Sequence, residues 1–314
     1  MLTFERHGRL GVVVVLLALG AAACGGSGGG GDGLTGTVDG DGSSTVFPVT
    51  EAVAEEFNRE NSGVDITVGV SGTGGGFEKF CAGETDFSDA SRPIKDSEAE
   101  ACAAAGVEYV ELTVAVDGLA VVVNPENDWA DCLTTEELEA VWKPGSTVAN
   151  WSQVRDGFPD QPLKLFGPGT DSGTFDYFTD EIVGEEGSSR VDYTASEDDN
   201  VLVQGVAGEK GALGYFGFAY YAENSDKLRV LGVDSGSGCV VPSDETVKAN
   251  TYTPLSRPLF VYVRDQAAAR EEVKEFFDFY LAIVNELVAD VGYTPLADDV
   301  LANEVAEWEA FAGA

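Results

Sequence analysis

With 314 residues, 44% of them hydrophobic, the chain is long enough for one large domain or two, with a proper core. Its 55 acidic and 18 basic residues leave a net charge of −37, which excludes a nucleic-acid binder because a polyanion would be repelled. Acidity of this order keeps proteins soluble in high salt, and a saline habitat is one expectation it raises.

In chain order, Arg6 and Arg9 precede the apolar run Leu10 to Leu19, followed by Gly20-Ala21-Ala22-Ala23-Cys24. A basic start, a short apolar stretch and small residues before a cleavage point predict a secretory signal over residues 1–23. The run is too short for a comfortable membrane span. A cysteine directly after the small residues resembles a bacterial lipobox, with Ala21 where a large aliphatic residue is usual. Cys24 is therefore expected to be the lipidated first residue, anchored outside the membrane. Residues 24–33, nearly all glycine, read as a flexible tether.

Cleavage removes the only histidine, His7, so no Ser-His-Asp triad, Cys-His pair or histidine metal site remains. Cys81, Cys102, Cys132 and Cys239 are left, an even number that reads as two disulfides in an exported protein. Three pairings are possible. The local Cys81–Cys102 bond is favoured, which leaves Cys132–Cys239. A four-cysteine zinc site lacks any C-x-x-C spacing, and no metal or other cofactor is expected.

Three loops share one character. Asp39-Gly40-Asp41-Gly42-Ser43-Ser44-Thr45 leads into a helix opened by Pro48, with Val49, Val53 and Phe57 along one face. Three hydroxyls in a row exceed what capping one helix requires. The alternating strand Val64 to Val70 delivers Ser71-Gly72-Thr73-Gly74-Gly75-Gly76, then the helix of Phe77, Phe80 and Cys81. The Gly-Lys-Ser/Thr ending of a nucleotide-binding loop is missing. The strand Leu163 to Phe166 leads through Gly167-Pro168-Gly169-Thr170-Asp171-Ser172-Gly173-Thr174 into a third helix. A strand that ends in such a loop and opens a helix aims backbone N–H groups and the positive end of a helix dipole at one spot, an oxyanion site.

Between the second and third loops, Thr85 to Ile94 places Arg92 in a tract of small polar residues beside Asp89 and Ser91. A guanidinium fork matches an oxyanion, and Asp89 could orient it or accept a ligand proton. Ser97 with Glu100 is expected to cap a helix through Cys102. Two strand-like runs, Tyr109 to Val116 and Leu119 to Val123, suggest one crossing between lobes; Thr253 to Pro258 with the strand Leu259 to Val263 suggests a second. Thr134 to Glu137 should cap the helix Leu138 to Val141, and Asn200 to Val206 has helical character. The aromatic run Gly211 to Tyr221 reads as core rather than a stacking platform, and a helix from Ala267 to about Val291 ends the reading.

The ordered set Gly42-Ser-Ser-Thr-Val-Phe-Pro48, Val70-Ser-Gly-Thr-Gly-Gly-Gly76, Ser88-Asp-Ala-Ser-Arg-Pro-Ile94, Gly169-Thr-Asp-Ser-Gly-Thr174 and Gly211-Ala-Leu-Gly-Tyr-Phe-Gly217 resembles the substrate-binding proteins of bacterial phosphate ABC transporters, the PstS family. The resemblance covers the chain from about Leu34. It implies an α/β fold of two lobes of the periplasmic-binding-protein type (class II), hinged on two crossing strands, with residues 34–112 and 259–314 in one lobe and 113–258 in the other. It implies no catalysis, a monomer, and delivery of phosphate to a membrane permease. The implied ligand set is Ser44, Thr45, the backbone N–H groups of Val46 and Phe47, Ser71, Thr73, Ser172, Gly173 and Thr174.

Two positions depart from the best-known members. Their arginine before the last Ser-Gly-Thr is replaced by Pro168-Gly169, which makes Arg92 the substitute cation. Their aspartate is replaced by Ser91, which leaves Asp89 or Asp171 to accept the phosphate proton. Another tetrahedral oxyanion (sulfate, molybdate or arsenate) and a surface sensor built on the same fold are the alternative readings.

Overall fold

The computed structural model describes residues 33–170 and 172–313. The expected signal, the Cys24 anchor, most of the tether and Asp171 lie outside the described residues.

The chain begins with β1 (Gly36–Gly42), α1 (Phe47–Glu60), β2 (Val64–Gly69), α2 (Gly72–Cys81), β3 (Phe87–Ala90), α3 (Asp96–Ala105) and β4 (Tyr109–Val123). Next come β5 (Cys132–Thr134), α4 (Thr135–Trp142), β6 (Lys164–Gly167), α5 (Gly173–Phe178), β7 (Thr194–Ala195) and α6 (Asp199–Gly208). Then follow β8 (Ala212–Gly217), α7 (Phe218–Glu223), β9 (Arg229–Val230), β10 (Gly232–Asp234), β11 (Cys239–Val240) and α8 (Asp244–Lys248). The described chain closes with β12 (Ser256–Arg264), α9 (Asp265–Ala268), α10 (Glu271–Leu287) and α11 (Asp298–Ala312).

A mixed sheet runs in the order β2-β1-β3-β12-β4-β8-β6-β7, with β9 added to β4, and β11-β10-β5 form a smaller sheet. β1 is parallel to β2 and β3, whereas β12 lies antiparallel between β3 and β4. Beyond β4 the strand β8 is antiparallel to it, and β6 is parallel to β8 and β7. Strand periodicity shows how this sheet is covered. Leu259, Val261 and Val263 of β12 enter one core with α1 and α10, while Phe260 and Tyr262 face the other way, into the cluster of α2 and α3. That smaller cluster holds the Cys81–Cys102 disulfide; Cys132–Cys239 ties β5 to β11. Both bonds follow the pairing favoured from the sequence.

The fold has two lobes, each with its own core. The first lobe packs α1, α10 and α11 on β1, β3, β4 and β12 around Phe57, Phe276, Phe277 and Trp308. The second is built around Trp142, Trp151, Phe178 and Tyr215, with Trp129 packed against it. Tyr215 and Phe216 are buried there, so the aromatic run is core. β4 passes from the first core to the second between Ala115 and Val116. The two runs expected at 109–123 are thus one strand. Asp117 and Gly118, which fall between those runs, stay in register with Arg257 and Ser256 of β12. A register shift between Leu259 and Phe260 sets the extra residue Val114 into β4 just before the crossing, as a β-bulge does where a strand must bend.

A third segment joins this hinge. Val116 and Thr294 exchange N–H···O bonds of 2.9 Å, and Leu296 continues into the second core. After α10 the chain therefore reaches into the second lobe beside β4 and returns to the first with α11. The final helix of the expectation is divided into α9 and α10, and α11 follows it.

Candidate functional site

β1, β2 and β3 end at one cleft, and the loops that leave their carboxyl ends form one wall; α5, which follows β6, and the turn after it line the opposite side. Parallel α/β sheets bind ligands in this place. The cleft has a volume of about 700 Å³. The first lobe contributes Ser44, Thr45, Ser71, Thr73, Ser91 and Arg92; the second contributes Asp176, Tyr177, Asp180, Glu181 and Glu186; Arg257 enters from β12.

After β1 the chain turns at Ser43, whose N–H donates to the Asp89 carbonyl at 2.9 Å and whose Oγ accepts from Thr45 N–H at 3.2 Å. The residue before α1 is Val46, and no side chain caps that helix. The Ser44 and Thr45 hydroxyls are therefore not spent on capping, as their number suggested. Val46 and Phe47, expected to donate through their backbone N–H groups, stand at the entry of α1. Val46 is fully buried, the Phe47 N–H donates to the Ser43 carbonyl at 3.0 Å, and neither residue lines the cleft, because the first turn of α1 closes on Ser43.

Ser71 precedes α2, and its N–H and Oγ both donate to Asp41 Oδ1 (the N–H at 3.0 Å). Asp41 also pairs with Lys79 from the far turn of α2. Burial pulls the Asp41 carboxyl upward, but Lys79 and Ser71 together hold it below the usual carboxylate range. The charged carboxylate therefore fixes the start of α2. Gly72, with φ +77°, takes the left-handed turn that a side chain would resist, and Gly72, Thr73 and Gly74 at the start of α2 line the cleft. Thr73 Oγ1 lies 3.1 Å from Ser91 Oγ and accepts from Ser91 N–H at 3.2 Å, so hydroxyls of two loops meet.

Ser91 and Arg92 directly follow the strand β3, which occupies part of the tract of small polar residues. Arg92 makes a two-pronged ion pair with Glu98, at 2.8 and 2.7 Å, and stands over the Phe77 ring. The hydrogen-bonded Glu98 raises the Arg92 pKa further, so the cation is permanent. Glu98 also accepts from Lys95 N–H at 2.8 Å, so it, rather than Glu100, closes the start of α3. Asp89 does not line the cleft. It is fully buried on β3, its Oδ1 accepts from Thr50 at 3.0 Å, and Thr50 in turn meets Tyr280. Burial, with Asp41 adding to it against the Thr50 hydrogen bond, pushes its pKa up to about 8. Asp89 thus stands in the interior, behind the loop that carries Ser91 and Arg92.

In the third loop Ser172 Oγ caps α5 by accepting from Thr174 N–H at 3.2 Å. Ser172 and Thr174 sit half-buried beside the cleft rather than on its wall. Gly173 packs against Thr45 of the other lobe: a Cβ placed there would come within 2.8 Å of Thr45 Oγ1. The loops of both lobes thus meet at Thr45.

The residue the sequence reading missed is Arg257. Its Nη2 donates to Thr45 Oγ1 at 3.2 Å, its Nε and Nη2 reach Asp117 Oδ2 at 3.3 and 3.2 Å, and its guanidinium carbon lies 3.6 Å from the centre of the Tyr177 ring. The only hint in the sequence is the run Ser256-Arg257-Pro258, which opens β12. The wall formed by the second lobe is acidic. Burial, together with the nearby Glu186, raises the Asp176 carboxyl, with Arg257 acting against it.

Residues 28–282 match the model of a PBP superfamily domain. The protein SphX of Synechocystis sp. is 53% identical over 261 residues, covering 82% of this chain and 78% of that one. The phosphate-binding protein PstS of Staphylococcus saprophyticus is 38% identical over 263 residues, covering 83% of this chain and 81% of that one. The crystal structure of a possible phosphate-binding protein from Planctomyces limnophilus superposes with a TM-score of 0.85 at 49% identity, covering 88% of this chain and 99% of the other.

Proposed function

Since the chain belongs to the PBP superfamily and, within it, to the family of the PstS phosphate-binding proteins, we propose that it captures inorganic phosphate outside the cytoplasmic membrane and delivers it to an ABC permease. The observation that carries this reading is the convergence of Ser44, Thr45, Ser71, Thr73 and Ser91 with two arginines on one cleft at strand ends. Hydroxyls, helix N-terminal N–H groups and guanidinium forks are the donors that a desolvated tetrahedral oxyanion requires. Gly173 and Thr174 complete the set from the second lobe when it closes, by backbone approach rather than through the Ser172 hydroxyl. The lobe division is proposed at the Ala115–Val116 step, where β4 changes core, and near Leu259 on the return, with the anchor at Cys24 holding a monomer near its permease. No chemistry on the ligand is part of this reading.

Titration calorimetry of the protein with phosphate from about pH 6 to pH 9, with sulfate as competitor, tests it. Micromolar or tighter binding that sulfate does not displace is the expected result. Equal competition by sulfate would assign the cleft to another oxyanion.

A further inference from the structure

Three basic side chains line the cleft: Arg92, Lys95 and Arg257. They are not equivalent. Arg92 spends its fork on Glu98 in two short parallel bonds and donates again to the Pro93 carbonyl at 3.1 Å. Lys95 is exposed. Arg257 sits at the crossing of β12, opposite Asp117 on β4, and meets a single carboxylate oxygen at 3.2 and 3.3 Å. A guanidinium has five N–H donors on a rigid plane, so a carboxylate on one edge leaves the other edge for a second anion.

Its other neighbours are the Thr45 hydroxyl of the first lobe and the Tyr177 ring of the second. Tyr177 is fixed in turn by its hydroxyl, which donates to the Pro254 carbonyl at 2.6 Å, three residues before Arg257. One guanidinium therefore touches both lobes and both crossing strands. It also faces Asp176, Asp180, Glu181 and Glu186, which would repel an anion that met no cation on entering.

We propose that Arg257 is the principal cation for the anion bound in the cleft, that Asp117 is its positioning residue, and that this hinge-mounted guanidinium couples anion binding to the approach of the lobes. The proposal rests on the reading of the cleft as a phosphate site. Arg92, held by Glu98, then serves as wall and secondary charge.

The test is phosphate titration by calorimetry, with small-angle scattering at saturating phosphate, on the wild-type protein and on Arg257→Gln, Arg257→Lys and Arg92→Gln. Arg257→Gln should weaken phosphate on the order of 100-fold, the worth of a lost hydrogen bond to a charged group, and abolish the compaction on binding. Arg257→Lys, which keeps the charge without the fork, should restore part of the affinity, and Arg92→Gln should still compact. Because Arg257→Gln leaves Asp117 buried and unpaired, the double variant Arg257→Gln/Asp117→Asn provides a folded control that should show the same loss. Wild-type binding matched within about threefold by both of these variants, or loss of compaction in Arg92→Gln instead, overturns the inference alone. A wild-type protein that does not bind phosphate overturns the reading of the cleft and the inference with it.

Discussion

Asp89 carries a consequence that its position in the core makes measurable. Its second oxygen, Oδ2, has no hydrogen-bond partner among the described residues, and its surroundings are Thr50, Tyr280 and, further off, the Asp41 charge. With a folded pKa of about 8 against an ordinary 3.8, the folded state prefers the neutral acid. The stability this confers is fully present below about pH 4 and is lost as the pH rises through 8, by several kcal/mol in all. Asp89→Asn, which cannot ionise, should therefore gain stability relative to the wild-type protein steadily between about pH 4 and pH 8 and level off above. Denaturant unfolding of both proteins across that range checks it, and a difference that does not change with pH would contradict it. Asp41, one strand away, shows the opposite management of a carboxylate: three donors keep it charged, and it holds Ser71 in place.

The elements that shape the cleft differ in how much of them the sequence disclosed. The hydroxyl loops were legible because each follows a strand directly and opens a helix, so Ser44, Thr45, Ser71 and Thr73 announce themselves within ten residues of chain. β3 was not legible, because Phe87–Ala90 is only four residues long and all four are buried, which erases the alternation that marks a half-exposed strand. Asp89 lies on that strand and is buried with it. Arg257 was hidden differently: its partner Asp117 lies 140 residues away, a distance no local pattern spans. α11 escaped because Trp308 is the single fully buried side chain along it.

The disulfides belong to this scale as well. They close loops of unequal length, with sequence separations of 21 and 107. If restraint of the unfolded chain dominates, replacing Cys81 and Cys102 by alanine should cost about 3 kcal/mol, and replacing Cys132 and Cys239 about 4–5 kcal/mol. Guanidinium unfolding of the two double variants gives the order. An equal or greater loss for the Cys81–Cys102 pair would mean that its packing between α2 and α3 outweighs the entropy.

For the whole molecule, the charge of −37 is the dominant fact. Acid surfaces repel one another in the compact state, and salt shortens the reach of that repulsion from roughly 10 Å at 0.1 M to about 3 Å at 1 M. Raising sodium chloride over that interval should raise the melting temperature by several degrees in calorimetry. A melting temperature that stays flat or falls would show that exposed ion pairs offset the repulsion. The same background gives the cleft its selectivity problem, since an anion must approach through a negative field and is admitted only where hydroxyls, helix ends and guanidinium groups concentrate. The hinge of β4, β12 and the Val116–Thr294 link gives the two lobes three adjacent connections, which permits bending across the strands and resists sliding along them.

The four tryptophans are divided unevenly between the cores. Trp142 and Trp151 are buried in the second core and Trp129 packs against it, whereas Trp308 alone serves the first, its Nε1 donating to Asp278 at 2.7 Å. The molecule thus carries a built-in optical asymmetry. Three of the four indoles report on one lobe, while the other is reported by a single indole hydrogen-bonded to a carboxylate. A melting curve followed by fluorescence should therefore weight the second lobe, and discord with a curve followed by backbone ellipticity would show the two lobes coming apart separately.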